Sequence, residues 1–430
     1  MPLKLSKYHY LFEKEGNYFL YAPLSNSFAE LDKSVYEVLL SAQRGNGFLM
    51  TLDEEISNQL RKMKVIDVDD RLEINKIKSN RLLQRYNPHK LLLTINPTLA
   101  CNFACPYCFE ATHSNIFMND QVEDAILTFI QTHKSVTQLH VTWFGGEPLL
   151  AFDRIKSLSQ RILNLGIKYS AGMITNGYLL TPEKISLLEK LKIKSIQITI
   201  DGTEQTHNAR RCRKDGGPTY QTILKNIEEA QKRSPQTAIS IRVNIDRTNS
   251  NEFFDVLAYF RTKNYPNVSV YPGFVNEVPS KEDRNHCVYD SDAMAAFLKT
   301  AYQDHGYCSH LFYPSNFTHT CAVRNLNAIV IGPLGELYKC WNDVGDFNRS
   351  YGYIDGRMTH ETVLYEYLVE ADYLNSPQCN ACTFFPVCDG GCPNRRIQNE
   401  KEDRQQDTCS LFKEHIEDFL MMHYAIKAQQ

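Results

Sequence analysis

The stretch Lys90-Leu-Leu-Leu-Thr-Ile-Asn96, followed by Cys101-Asn-Phe-Ala-Cys105-Pro-Tyr-Cys108, decides how this chain is read. The apolar run predicts a strand at Leu91–Ile95. Beyond it three cysteines stand in eight residues, spaced C-x₃-C-x₂-C. Three thiolates hold three irons of a cubic [4Fe–4S] cluster and leave the fourth open to a ligand that is not protein. A closed structural metal site takes four protein ligands.

Moving outward, a second strand-like run, Leu139-His-Val-Thr-Trp-Phe144, leads into Gly145-Gly146-Glu147-Pro148. In this order and context the two motifs resemble the signature of radical S-adenosylmethionine (SAM) enzymes, over roughly residues 91–275. A zinc knuckle or a set of core cysteines leaves the second motif unexplained. The resemblance implies that the open iron chelates the amino and carboxylate groups of SAM. An electron from the cluster then cleaves the sulfonium and frees a 5′-deoxyadenosyl radical, which abstracts hydrogen from an unactivated carbon.

Composition bounds the rest. With 430 residues the chain has room for two or three domains, and 43% hydrophobic content supports real cores. A net charge of −3 provides no global field for nucleic acid. No run approaches the roughly 18 apolar residues of a membrane span, and Met1–Gly16 lacks the apolar core of a secretion signal. A cytoplasmic setting follows as the expectation. There, 13 cysteines point to metal or cluster ligation rather than disulfides.

Residues 1–80 read as a separate module. Short aromatic strands at Tyr8–Glu13, Tyr18–Tyr21 and Ser27–Leu31 precede two helices, one with Val35, Val38 and Leu39, the next with Leu52, Ile56, Leu60 and Met63. Val65–Val68 and Leu72–Ile74 around Asp69-Asp70 suggest a hairpin, which completes a winged-helix pattern. Three acidic residues open the second helix and suit a helix amino terminus, not a phosphate backbone. The module resembles the recognition element of ribosomal-peptide maturases, where an exposed strand captures a leader peptide by β-augmentation. A purely structural cap is the plainer alternative.

From residue 81 to 275 strand and helix alternate. Strands are expected at Leu91–Ile95, Leu139–Trp143, Gly172–Ile174, Ser195–Ile200, Ile239–Ile245 and Val268–Tyr271. Helices fit at Asp120–Thr132, Phe152–Leu165, Pro182–Leu191, Tyr220–Lys232 and Asn251–Thr262. The expected fold is α/β: a partial (β/α)₆ radical SAM barrel with motifs at strand carboxyl ends, an N-terminal winged-helix-like module and a C-terminal cysteine-rich domain. Arg81–Lys90 reads as linker surface. Residues 276–310 form a bridging segment, and 311–430 the last domain, closed by an amphipathic helix within Ser410–Lys427.

That last segment holds Cys321, then Gly335-Glu-Leu-Tyr-Lys-Cys340, then Cys379-x₂-Cys382-x₅-Cys388-x₃-Cys392, and Cys409. Its spacing resembles the SPASM extension, which carries auxiliary iron–sulfur clusters. By that resemblance Cys379, Cys382, Cys388 and Cys409 hold an outer cluster, and Cys321, Cys340 and Cys392 an inner one, both expected as [4Fe–4S]. Cys308, or else Cys287, completes the inner set, unless its last iron is open to a substrate thiolate. Gly390-Gly391 permits the tight turns a cluster needs. Zinc ribbons share such spacings; the core upstream favours iron. Cys212 reads as a surface or barrel-mouth thiol.

For SAM, the resemblance places Tyr107 at the adenine. Gly145, Gly146, Glu147 and Pro148 lie at the methionyl amine, Thr175, Asn176 and Asn244 at the ribose, and Thr199 and Arg211 at the carboxylate. A guanidinium suits a carboxylate by bidentate pairing. Asp343 and Asp346 are candidate bases toward substrate.

A leader-binding module implies a ribosomally made precursor peptide as substrate, and the auxiliary clusters imply an acceptor for the electron left over when a new bond forms. The expected reaction is therefore an oxidative crosslink: thioether, carbon–carbon or ether. A reductant such as flavodoxin or ferredoxin is the expected protein partner, with no nucleic acid and no membrane. An anaerobic sulfatase maturase, which makes formylglycine, is the alternative; Trp341 stands where those enzymes tend to carry an aspartate, with Asp343 two residues later. Peptide epimerisation needs a thiol donor, and Cys212, Cys287 and Cys308 keep it open. A non-catalytic iron–sulfur regulator of DNA is disfavoured by charge and by the second motif.

Overall fold

The computed structural model describes residues 4–45, 52–108, 114–275, 289–314 and 321–428. Its contacts divide the chain into two units. The first comprises Met1–Tyr86, Ala295–Asn325 and Val369–Gln430, the second Asn87–Met294 and Leu326–Leu368. Cys287, and residues 276–288 of the bridging segment, lie outside the described residues.

In the first unit, β1 (Tyr10–Lys14), β2 (Asn17–Ala22) and β3 (Ser27–Leu31) form an antiparallel sheet in that order. Because successive side chains alternate in direction, Leu20 and Ala22 join Val35 and Leu39 of α1 (Lys33–Gln43) and Leu60 of α2 (Glu54–Lys62) in one core. Phe19, on the opposite face, meets Phe12, Phe28 and Tyr424 of the helix Ile416–Ala428.

The hairpin expected around Asp69-Asp70 is a correction. Asp69 caps α3 (Asp70–Arg85), accepting the Leu72 N–H at 3.0 Å. An acidic pair read as a turn is thus a cap followed by a first-turn acid, both favourable at the positive end of a helix. The segment expected to be linker surface lies partly within α3, and its Arg81 and Arg85 are buried. The boundary drawn at residue 80 falls inside this helix. Its Ile74 packs with Tyr8, Leu24, Tyr373, Leu374 and Phe385, so α3 and the cysteine-rich segment share one core.

The second unit runs β4 (Lys90–Ile95), α4 (Asp120–Thr132), β5 (Gln138–Trp143), α5 (Phe152–Leu163), β6 (Lys168–Thr175), α6 (Pro182–Ile185), β7 (Ile193–Thr199), α7 (Glu204–Arg210), α8 (Tyr220–Arg233), β8 (Ala238–Ile245), α9 (Glu252–Lys263) and β9 (Val268–Phe274), then β10 (Ala328–Ile331), β11 (Glu336–Tyr338) and β12 (Gly352–Tyr353). The sheet order is β12-β11-β10-β4-β5-β6-β7-β8-β9. Neighbours from β10 to β9 are parallel, and β11 and β12 are antiparallel.

All six expected strands occur. β10 adds a seventh parallel strand, from a stretch too short to show periodicity. On one sheet face Leu91, Leu93, Ile95, Leu139, Val141, Trp143, Ile239, Ile241 and Val243 are buried. Covering each branched side chain contributes roughly 1.5–3 kcal/mol. The alternate positions, Thr94, Thr142, Gln197, Arg242 and Asn244, are polar and half-buried. This polar face, at the strands' carboxyl ends, carries the motifs.

Candidate active site

The cysteine loop leaves β4 and is pinned by its own polar groups. The Thr98 hydroxyl donates to the Ile116 carbonyl at 2.7 Å and accepts the Ala100 N–H at 3.0 Å. The Phe103 N–H points at the Cys101 sulfur, 3.4 Å away. The glycine-rich motif runs alongside: Gly146 N–H donates to the Thr98 carbonyl at 3.2 Å, and Glu147 N–H to the Ala100 carbonyl at 2.9 Å. A β-carbon on Gly145, whose φ is +110°, would meet the Thr98 oxygen at 2.4 Å; on Gly146 it would meet the Ala100 oxygen at 2.4 Å. Both glycines therefore let one motif template the other. Gly146→Ala is expected to displace the cysteine loop, costing about 1–3 kcal/mol and lowering the iron bound per chain. Denaturant melts and iron analysis read both effects.

Glu147 is fully buried. Its carboxylate accepts from Leu149 N–H at 2.9 Å, the Thr175 hydroxyl at 2.6 Å and Asn176 N–H at 2.7 Å. Burial raises its pKa, against the pull of those hydrogen bonds. Pro148 follows as the first residue of a short 3₁₀ turn. Glu147 thus ties the second motif to the end of β6, where the Asn176 amide donates to Asn102 in the cysteine loop at 2.8 Å.

A second knot centres on Tyr107. Its hydroxyl donates to Asp201 and accepts from Arg211 at 2.7 Å and, at 3.4 Å, from the Asn244 amide. The Arg210 guanidinium lies 4.9 Å from the Tyr107 ring centre and pairs with Asp246 at 2.7 Å. The structure therefore joins Tyr107, Arg211 and Asn244, three of the expected SAM contacts, in one network. Thr199 ends β7, buried, two residues before Asp201.

Asn102, Asp201, His207 and Arg210 were missed from sequence. The only available signals were their places inside the cysteine motif, in Asp201-Gly202, and beside Arg211. Cys212 sits close to the loop, its carbonyl accepting the Ala104 N–H at 3.0 Å.

His207 is completely buried. Its Nδ1 accepts the Asp201 N–H at 3.3 Å, and Nε2–H donates to Thr219 at 3.1 Å, an assignment set by the Thr219 hydroxyl donating onward to the Arg211 carbonyl. Burial, then Arg211, lowers its pKa from 6.5 to about 3. The folded ring stays neutral while the unfolded ring protonates, so stability is full above pH 6.5 and falls as pH drops toward 3. The expected slope reaches about 1.4 kcal/mol per pH unit. His207→Gln should flatten it in unfolding titrations between pH 7.5 and 5.

The candidate bases are placed differently. Asp343 is buried, accepting from the Tyr367 hydroxyl at 2.7 Å, with Arg349 at 3.6 Å. Burial raises its pKa, opposed by Arg349. Asp346 is exposed and caps the turn at Asn348 N–H, 3.0 Å. Trp341 is 47% exposed and lies 5.6 Å, ring to ring, from Phe144, directly before Gly145.

The site's residues fit a cluster and SAM. Cys105 and Cys108 stand within electrostatic reach of Cys101, whose thiol burial pushes up to about 12; a thiolate there needs a cation beside it. Among the described residues Arg211 Nε, Arg210 Nη2 and Asp201 Oδ1 are buried without a protein partner, as suits groups that meet a polar ligand.

In the first unit, Cys379 and Cys382 lie within electrostatic reach of Cys388. The Arg396 guanidinium donates to the Cys379 sulfur at 3.3 Å, the Gly390 N–H to Cys388 at 3.3 Å and the Lys413 ammonium to Cys409 at 3.5 Å. Gly391 passes so close to the Thr408 carbonyl that a β-carbon has no room. Neighbouring thiols with N–H donors aimed at sulfur fit iron–sulfur ligation. Of the expected inner set, Cys308, Cys321 and Cys392 belong to the first unit and Cys340 to the second.

The family model for the radical SAM superfamily matches residues 95–260. The radical SAM cyclopropyl synthase TigE of Paramaledivibacter caminithermalis is 22% identical over 91% of this chain and 89% of its own. The serine-type anaerobic sulfatase-maturating enzyme of Bacteroides thetaiotaomicron is 22% identical over 71% and 83%. Native anSMEcpe, solved with AdoMet and the Cp18Cys peptide, superposes with a TM-score of 0.61 at 21% identity, over 78% of this chain and 97% of that one. Streptococcus suis SuiB, solved with its precursor peptide SuiA, gives 0.51 at 14%, over 95% and 99%. The structural likenesses establish the α/β fold with its mostly parallel sheet. No helix among the described residues is long and apolar enough to cross a membrane. With the motif geometry and the family match together, residues 95–260 form a radical SAM domain.

Proposed function

We propose that this enzyme is a peptide maturase that removes a hydrogen atom from a ribosomally made precursor and installs an oxidative crosslink. The observation that carries this reading is the make-up of the first unit. A small sheet, ending in the edge strand β3, shares that unit with the cysteine-rich segment. An edge strand offers main-chain groups to an extended leader peptide. When bound, the clusters and SAM supply the 5′-deoxyadenosyl radical and an acceptor for the leftover electron. Arg211 and Thr199 hold the SAM carboxylate, Tyr107 the adenine, Asn244 and Asn176 the ribose. Cys379, Cys382, Cys388 and Cys409 hold one auxiliary cluster; Cys321 and Cys392, with Cys308, belong to the other. A flavodoxin or ferredoxin supplies electrons. The inward commitment of Asp343 to Tyr367 and Arg349 disfavours it as a mobile base and weakens the sulfatase-maturase alternative.

The test is anaerobic incubation with SAM, reductant and any peptide encoded by a short reading frame found beside the gene, read by mass spectrometry. Loss of two hydrogens is expected. A mass unchanged in ordinary water but raised by deuterium uptake in heavy water would instead establish epimerisation, a reading favoured by one observation, the closeness of Cys212 to the cysteine loop. Cys212→Ala separates the two. Crosslinking should persist within about twofold, the scale of a surface substitution, whereas an epimerase relying on that thiol would lose deuterium uptake.

A further inference from the structure

The first unit buries three arginines around one ring. Arg81 and Arg85 of α3, and Arg324, are each less than 5% exposed. Their guanidinium carbons lie 5.5, 5.3 and 4.9 Å from the centre of Tyr373. Close carboxylates do not balance them: Asp372 pairs with Arg85 at 2.9 Å, and Asp389 stands 3.9 Å from Arg324. Among the described residues Arg81 donates to the carbonyls of Phe385 and Pro386, at 3.1 and 2.9 Å, and Arg324 to that of Gly391 at 2.8 Å. Among the described residues five nitrogens have no protein acceptor: Arg81 Nη1, Arg85 Nε and Nη2, and Arg324 Nε and Nη1. The Tyr373 hydroxyl shares that state.

Uncompensated buried cations are costly, so such a cluster implies an anion. Beyond Asp372 and Asp389, cysteine sulfurs also stand near it. Cys388 lies within electrostatic reach of Arg81, and Cys321 of Arg324. A cluster in four thiolates carries net negative charge, more so when reduced, and nearby positive charge favours its reduced form. We infer that Arg81, Arg85 and Arg324 are the built-in counter-charge of the auxiliary iron–sulfur sites on this unit and hold them at a raised reduction potential. This rests on the reading of those cysteines as cluster ligands. The consequence is functional: raised potential lets these sites take an electron from a strongly reducing substrate radical.

The test uses full-length protein carrying Cys101→Ala, Cys105→Ala and Cys108→Ala, which leaves only auxiliary iron. Arg81→Met and Arg324→Met are compared with Arg81→Lys and Arg324→Lys by redox titration followed by electron paramagnetic resonance, with iron and sulfide assayed beside it. The methionine variants should lower the midpoint, shifting the oxidised-to-reduced ratio about tenfold at a fixed potential, or 59 mV for a one-electron couple. The lysine variants should stay near the parent. Loss of iron with methionine but not with lysine also supports the counter-charge. Retained iron with an unmoved midpoint overturns the inference, as does an equal shift with lysine and methionine. A parent triple variant with no iron overturns the auxiliary-cluster reading itself, a failure seen before any arginine is changed.

Discussion

Cys105→Ala is expected to cut production of 5′-deoxyadenosine from SAM at least about a hundredfold, since even residues one shell behind a metal's ligands cost 10–100-fold. In the proposed cube, held at three corners by Cys101, Cys105 and Cys108, no protein ligand is spare, so losing one leaves two thiolates and a second exposed iron. About four irons per chain should be lost with it, while iron at the proposed auxiliary sites stays. The substitution is structurally mild. Cys105 contributes to the loop through its backbone, whose carbonyl accepts the Cys108 N–H at 3.2 Å, and alanine keeps that bond. Unfolding midpoints should therefore move little while SAM cleavage disappears. The measurement is chromatography of 5′-deoxyadenosine after anaerobic incubation with dithionite and peptide. Full turnover, or unchanged iron, would remove Cys105 from the ligand set and with it the chemistry proposed for the site.

What sequence revealed divides along a physical line. Local patterns were legible: the cysteine spacing, the glycine-rich run, and strands whose alternation covers five or more residues. Asp120–Thr132 was placed to the residue because Asn119 caps it, accepting the Val122 N–H at 3.0 Å. Long-range electrostatics were not legible. Arg81 and Arg85 look like surface in a polar stretch, and only contacts some 300 residues away, with Phe385 and Asp372, bury them. The reason for Gly145 and Gly146 was incomplete for the same cause. Their sequence context suggests approach to a ligand, whereas the backbone they first admit is that of Thr98 and Ala100. β10 was missed because four residues carry too little alternation, and its place beside β4 comes from pairing alone.

Glu147→Ala is expected to destabilise the protein by about 3–5 kcal/mol, the cost of removing one partner from a buried charged network. Alanine would leave Leu149 N–H, Asn176 N–H and the Thr175 hydroxyl without an acceptor in a site closed to water, and orphaned donors cost about 1–3 kcal/mol each. Glutamine should cost less. Its carbonyl can serve one side of the site, but its amide then faces at least one N–H, donor against donor, whichever way it is turned. Stability should therefore fall in the order wild type, Glu147→Gln, Glu147→Ala in anaerobic denaturant melts, with iron content falling alongside as the cysteine loop loosens. The same series separates two roles for this carboxylate. If it served only the methionyl amine of SAM, both variants would melt with the wild type and differ in SAM affinity alone. That result would place the charge on the ligand and leave the join between the two motifs to their backbones.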